Sequence, residues 1–285
     1  MFKNENHLKE IYTIDNIEIL ISTMNRDSLD FLVPMFPFSH FSHFHLLIVN
    51  QTQNDTILTS AYSNVRVVNS FEKGLSKSRN LAFKNATGKI LLIADDDITY
   101  EEGFSTNIVK AYNKFPEASV ISFCAVNSKG DLMKKYPSRL KNNLNIFDIF
   151  KTSSIEITLN KKILDTSKSR FDENFGLGGI FELGEEAIFL SDLRKENKQL
   201  VFVPEVIVKH HQQTSSDKKE VIERYYINGA LFFRILKKKA ILWLFIKLFF
   251  DLKQKNLKFT GIKKALNWTY EGYKKFESIQ YKNEK

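Results

Sequence analysis

The sequence predicts an α/β domain, a largely parallel sheet covered by helices, followed by a basic helical extension. Three observations predict it. Short continuous apolar runs alternate with amphipathic segments as far as Val126, which is how buried parallel strands joined by crossover helices read. Polar clusters follow three of those runs at their C-terminal ends, where open parallel sheets bind ligands. The charge is also split. Residues 218–285 hold 17 Lys/Arg against 6 Asp/Glu, a balance of +11, so residues 1–217 carry −2 of the net +9.

The elements follow in order. Ile17–Ser22, "IEILIS", is a first apolar strand. "FHLLIV" at Phe44–Val49 is a second, its unbroken apolar run marking burial on both faces, and "VRVV" at Val65–Val68 is a third. "GLSKSRNLAFKNATG" places Leu75, Ala82 and Ala86 near one helical face and ends in Gly, so it reads as a helix. "KILLIA" is the fourth strand, "GFSTNIVKAYNKFP" a helix stopped by Pro116, and "SVISFCAV" the fifth strand. Beyond about residue 128 the pattern loosens, and "KNNLNIFDIFKTSSIEITLNKKIL" reads as strands and loops. "RFDENFGLGGIFELGEEAIFLSDLRKENKQ" holds a flexible Gly-rich stretch, then acids, then a helix with Ile188, Phe189 and Leu193 on one side. "LVFVPEVIV" is a strand in which Pro204 favours an edge or a bulge, and it ends in "KHH". The remainder reads as helical.

Composition excludes several classes. A hydrophobic content of 43% supports a full core. The single cysteine, Cys124, rules out an intramolecular disulfide and reads as a small apolar core residue in a reducing compartment. The N-terminal "MFKNENHLKEIYTIDN" lacks the apolar stretch of a signal peptide, so a cytoplasmic location is expected. No G-x-G-x-x-G follows the first strand, which argues against a dinucleotide site and against a phosphate-cradling P-loop. The basic tail carries no nucleic-acid-binding motif, so no nucleic acid partner is expected. Its longest apolar run, "AILWLFIKLFF", is interrupted by Lys247 and falls short of the ~20 residues of a membrane span. An amphipathic, basic, aromatic-rich tail suits the anionic surface of a membrane. It equally admits a helical cap on the domain or a homodimer interface.

The chemistry gathers at the strand ends. Thr23, Asn25 and Arg26 follow the first strand, Asn50 and Gln51 the second, and Asp95, Asp96 and Asp97 the fourth. Three such clusters converge on one crevice. In an extended segment Asp95 and Asp97 point the same way, and two carboxylates on one side suit Mg²⁺ or Mn²⁺ with positions left for substrate phosphate. On its own the triplet reads as readily as an acidic turn or helix cap. The "SHFSHFH" run at Ser39–His45 lacks a carboxylate partner and is read as turn and strand entry.

The order strand–"TMNR", strand–"IVNQ", "GLSKSRN" helix, strand–"ADDD", "LGEEAIFL" and "VPEVIVKHH" resembles family 2 glycosyltransferases of the GT-A fold, a Rossmann-like nucleotide-binding sheet flanked by helices. The resemblance spans about residues 17–211; each motif is weak alone, and six in this order are specific. It implies an inverting, metal-dependent transfer from a nucleotide-sugar, with UDP the expected nucleotide, to a glycan or lipid-linked acceptor in bacterial surface polysaccharide synthesis. By resemblance Asp95 contacts the donor ribose, Asp97 ligates Mn²⁺ or Mg²⁺, and Asp96 lies between them near the nucleotide. Ser78 and Arg79 stand in the motif that meets the donor base. Asn50 and Gln51 depart from the acid the family often places there to read uracil, although an amide can both donate to and accept from a pyrimidine edge. Glu186 stands as the general base and Glu185 as an acceptor contact, where the family usually has "ED". His210 completes the metal site, with His211 as the alternate. The expected domains are 1–217, catalytic, and 218–285, the basic helical extension, with a peripheral place on the inner face of the cell membrane. Two rivals are a nucleotidyltransferase, which would normally show a Gly-rich basic loop after the first strand, and a binding module with a dead site, in which the triplet or Glu186 would be lost.

Overall fold

The structure is a computed structural model and describes residues 12–53, 56–164, 168–211 and 220–283. The segment read as lacking a signal peptide lies, up to residue 11, outside the described residues. Among the described residues there are eight strands: β1 Ile17–Met24, β2 His45–Gln51, β3 Val65–Ser70, β4 Ile90–Asp95, β5 Ile98–Tyr100, β6 Val120–Val126, β7 Ile157–Asn160 and β8 Leu200–His210. The helices are α1 Leu75–Asn85, α2 Phe104–Lys114, α3 Ile146–Ile149, α4 Glu185–Lys195, α5 Val221–Leu236, α6 Ala240–Lys253 and α7 Ile262–Asn283.

The chain divides into two compact units: residues 1–73, 77–170 and 193–212 form the first, and residues 74–76, 171–192 and 213–285 the second. The sequence reading drew one boundary at 217/218. Residues 171–192 instead group with the C-terminal helices, to which a half-buried charge cluster ties them. Arg234 of α5 donates from Nε to Asp172 at 3.0 Å and through both terminal nitrogens to Asp192 at 3.2 and 2.7 Å. Such a fork-to-carboxylate pair is directional as well as strong.

The first unit is an eight-stranded mixed sheet in the order β3-β2-β1-β4-β7-β6-β8-β5. β3, β2, β1 and β4 run parallel, as the alternation of apolar strands with helices predicts. β7 pairs antiparallel with both β4 and β6, and β5 antiparallel with β8, so the sheet is less parallel than expected. β8 lies between β6 and β5, and its register against β6 slips where Ser122 faces Phe202 and Cys124 faces Val206. Pro204 sits in that slip, so its missing N–H removes no ladder hydrogen bond; of the two sequence expectations the bulge holds and the edge does not. Ile21, Leu46, Ile48, Leu92, Ile121 and Val208 are fully buried in the core beneath the sheet. Cys124 is buried as expected, and burial pushes its thiol up to about 12.

Glu18 fastens the base of β1. Its carboxylate accepts from the backbone N–H of Thr87 at 2.6 Å and Gly88 at 2.8 Å, and from Arg66. Burial alone would raise its pKa, but these donors outweigh it and hold the group below its ordinary value.

In the second unit α5 and α7 cross with their backbones almost touching. A Cβ at Gly229 would lie 2.1 Å from the Thr269 carbonyl oxygen, and one at Gly272 1.8 Å from that of Tyr226. Only glycine fits at such a crossing. α6 lays Leu244, Leu248 and Leu252 into a cluster with Tyr225, Leu257 and Ala265.

Candidate active site

The strand-end residues of the first unit meet at one edge of the sheet. Because β1, β2 and β4 are parallel and in register, Thr23 stands beside Asn50 and Ser22 beside Asp95. β4 ends at Asp95; Asp96 and Asp97 form a turn that leads directly into β5. The strand alternation that would aim Asp95 and Asp97 together therefore stops at Asp95, and the turn splays the three carboxylates apart.

Each acid has its own partner. Asp96 turns toward β1, where Oδ2 accepts from Thr23 Oγ1 at 2.5 Å and from Arg26 Nε and Nη2 at 3.0 and 2.8 Å. Asp95 accepts from Arg79 Nη2 at 3.2 Å and from the Ser154 hydroxyl at 3.4 Å. Asp97 Oδ1 lies 3.4 Å from His210 Nε2. Three adjacent like charges are tolerable because a guanidinium, a second guanidinium and an imidazole each face one of them. Arg79 is 2% exposed, held on α1 beneath the triplet.

The two histidines at the end of β8 have different neighbours. His210 faces Asp97, whereas His211 Nε2 hydrogen-bonds Thr99 Oγ1 at 2.8 Å. A carboxylate oxygen and an imidazole nitrogen brought together make a donor pair that fits a divalent cation, and a mixed oxygen–nitrogen pair suits Mn²⁺ better than oxygen-preferring Mg²⁺. Among the described residues no group of three His, Cys, Asp or Glu gathers as a metal site. Asp95, expected as a ligand, is engaged by Arg79 and Ser154 rather than grouped with Asp97 and His210. In the His-rich segment, Ser39 bonds His43 and His40 bonds Ser42, the local turn contacts expected of it.

Two residues expected at the donor are taken up by the framework. Asn50 is fully buried; its Oδ1 accepts from the Arg26 N–H at 3.1 Å, and its Nδ2 donates to the Arg26 carbonyl at 2.9 Å and to Asn69 Oδ1 at 3.1 Å. It clamps the backbone after β1, where Asn25 adopts a left-handed φ of 54° and its N–H donates to the Gln51 carbonyl at 2.9 Å. Asn is among the few residues that accept this conformation. Ser78 is 1% exposed and donates to Ser22 Oγ at 3.0 Å, tying α1 to β1. Gln51 is also buried, at 5% exposure.

Ser154 was not anticipated. It lies in the loosely patterned middle of the chain, beside a buried knot in which Glu156 accepts from Tyr136 at 2.6 Å and pairs with Lys134 at 2.7 Å. Burial raises the Glu156 pKa despite that lysine. The signal was present as the S-x-x-E spacing of Ser153 and Glu156, which forms a capping box here.

Glu185 and Glu186 belong to the second unit, where they open α4. Glu185 is 4% exposed, and Glu186 is half-buried. Gly176, at φ 95°, makes room for Glu185: a Cβ there would lie 3.1 Å from its Cδ. The "FGLGG" stretch is held by three backbone hydrogen bonds. Gly176 N–H donates to Phe181, Phe181 to Asn174 and Gly179 to Gly176, each at 2.8 Å.

Comparison with curated proteins finds no match. Among solved structures the chain is similar to TarS of S. aureus. The 1–349 fragment superposes with a TM-score of 0.60 at 15% identity, over 90% of this chain and 80% of that one. The same fragment in complex with UDP-GlcNAc gives 0.58 at 15% identity, over 88% and 79%. TarS beyond that fragment gives 0.56 at 14%, over 88% of this chain but 47% of that one. At such identity the likeness is one of fold. The Glycosyl transferase family 2 model matches residues 40–171, a span that includes Asn50, Arg79, the triplet and Ser154. Residues 40–171 are thus similar to family 2 glycosyltransferases, within a sheet of the GT-A architecture.

Proposed function

We propose that this enzyme moves a sugar from a nucleoside-diphosphate sugar to a hydroxyl of a glycan or lipid-linked saccharide by a single, inverting displacement. The observation that carries the donor reading is the Asp97–His210 pair, 3.4 Å apart, beside the Arg79–Asp95 pair at the carboxyl ends of parallel strands. A divalent cation on Asp97 and His210 would supply charge neutralisation for a diphosphate leaving group. The chain's own residues do the rest. Arg79 holds Asp95 in place for the donor ribose. Arg26, 41% exposed in its side chain and already on Asp96, offers a positive group at the mouth of the same strand ends. UDP is the proposed nucleotide; TarS has been crystallised with UDP and with UDP-GlcNAc. With Asn50 occupied by Arg26 and Asn69, reading of the base falls to other groups near β2.

Glu186 is proposed as the base that takes the acceptor proton, and Glu185 as its buried neighbour. The difference in exposure favours this order, because the base must reach an incoming hydroxyl. Surface polysaccharide synthesis is the proposed setting. The test is donor hydrolysis and transfer across a panel of nucleotide sugars, with and without Mn²⁺. The reading expects turnover with one nucleotide family, lost in EDTA and restored by Mn²⁺. Full turnover in metal-free protein would remove the metal from the proposal, and absence of hydrolysis or binding across the whole panel would remove the donor.

A further inference from the structure

α6 has two apolar faces, and only one is used within its unit. Leu244, Leu248 and Leu252, spaced four apart, pack with Tyr225, Leu257 and Ala265. Ile241, Leu242, Phe245, Phe249 and Phe250 form a second stripe beside it and are 56, 61, 59, 61 and 47% exposed. Phe259, just past the helix, is 79% exposed. Trp243, which the sequence groups with these aromatics, is half-buried and packs near Phe232 with ring centroids 6.4 Å apart. Five large apolar side chains in solvent along one short helix mark an interaction surface.

The charges around the stripe identify what it meets. Lys237, Lys238 and Lys239 precede α6, Lys253 ends it, and Lys255 and Lys258 follow it, all exposed. The one acid between residues 237 and 258, Asp251, is buried and accepts from Tyr225 at 2.7 Å and from Lys247 at 3.0 Å. The exposed surface of α6 is thus an apolar stripe with a lysine cluster at each end, ~21 Å apart by the rise of a 14-residue helix. A second copy of the chain fits poorly: packing the stripe on itself, parallel or antiparallel, sets lysines against lysines. An anionic bilayer satisfies both features, with phosphates at the two ends and acyl chains beneath the stripe. No described helix is long and apolar enough to cross a membrane, so the helix would lie in the surface plane.

We infer that α6 is a membrane-docking helix that seats Phe245 and Phe249 in the interface of an anionic lipid bilayer, with Lys237–Lys239 and Lys253–Lys258 on its headgroups. The inference does not depend on the transfer reaction.

The experiment is co-sedimentation of the full chain with vesicles of phosphatidylcholine alone or of equal parts phosphatidylcholine and phosphatidylglycerol, at low and high salt. Light scattering of the free protein runs alongside. Wild-type protein should pellet with the anionic vesicles at low salt and much less with neutral ones. Replacing Lys237, Lys238 and Lys239 with Gln should weaken partitioning by about 5-fold per lysine, roughly 100-fold in all. Phe245→Ser with Phe249→Ser should remove the salt-resistant part of the binding. These residues are exposed, so both variants should keep the wild-type melting temperature. Negligible pelleting with both lipids overturns the inference. So does wild-type pelleting by both variants, which would place the membrane contact elsewhere. A dimer that the phenylalanine variant turns into a monomer, without vesicle binding by the wild type, overturns it in favour of a contact between copies.

Discussion

Asn50→Ala separates a framework role from a donor-reading one. The side chain is fully buried and makes three hydrogen bonds: from the Arg26 N–H at 3.1 Å, to the Arg26 carbonyl at 2.9 Å and to Asn69 Oδ1 at 3.1 Å. Asn69 keeps a second partner in the Leu58 N–H, 3.1 Å away, but the Arg26 N–H and carbonyl lose the amide that holds them. A lost hydrogen bond costs about 1 kcal/mol and a buried group left unmade about 1–3, so the substitution should cost roughly 3 kcal/mol. For a chain of this size a melting temperature falls about 2–4 °C per kcal/mol, which predicts a drop of roughly 6–12 °C. Asn50→Asp should cost more: the carboxylate keeps an acceptor for the Arg26 N–H but sets oxygen against the Arg26 carbonyl and Asn69 Oδ1 in a site with no exposure. The assay is thermal unfolding paired with calorimetric titration of UDP at a temperature where each variant is folded. The expected result is a large loss of stability with UDP affinity within a few-fold of wild type. An unchanged melting temperature with UDP affinity down about tenfold or more, some 1.4 kcal/mol, would refute the reasoning and return Asn50 to the donor.

The other predictions concern the metal pair, the base and the foot of β1. Asp97→Ala and His210→Ala should each weaken Mn²⁺ binding, read by calorimetry, whereas His211→Ala, whose ring sits on Thr99, should not; equal effects of both histidines would undo the assignment. Glu186→Gln should lower transfer by about 10²–10⁴, the range for loss of a general base, while UDP affinity holds; a wild-type rate in Glu186→Gln together with a loss in Glu185→Gln would reverse the two roles. Glu18→Gln should cost roughly 2–4 kcal/mol at neutral pH, because three donors then face a neutral amide. Since the folded pKa of Glu18 lies below its ordinary 4.5, this stability is complete above about pH 4.5 and is lost as pH falls through the lower folded value. Acid unfolding curves of wild type and variant should therefore converge in that window, and parallel curves would count against the carboxylate.

Much of the fold was legible because its signals are local. β2 and β4 each carry an unbroken apolar run and β1 one broken only by Glu18, and runs of that kind are satisfied inside a sheet covered on both faces. The polar residues after those runs lie at one edge because parallel strands end on the same side, so Thr23, Asn50 and Asp95 meet without any long-range information. The split in charge between the tail and the body was equally a property of the sequence.

Other features were decided by contacts that sequence spacing does not encode. β5 and β7, three and four residues long, are too short to show a period, and they make the sheet mixed. Pattern could not show that the chain turns at Asp96 and Asp97, and that turn sends Asp95 to Arg79, Asp96 to Arg26 and Asp97 to His210. Asn50 looks from its strand-end position like a ligand contact, yet a buried amide must satisfy its donors and acceptor with whatever backbone lies nearest, and that backbone is Arg26. Residues 171–192 join the C-terminal helices because Arg234 reaches Asp172 and Asp192 across 62 and 42 residues of chain. On α6 the sequence determined how apolar and how basic the helix is; the packing of Leu248 against α5 and α7 decided which side remained in solvent. Periodicity and composition determine what a segment can bury, whereas the partner of each buried polar or charged group is set by which distant residue the fold brings within hydrogen-bond reach.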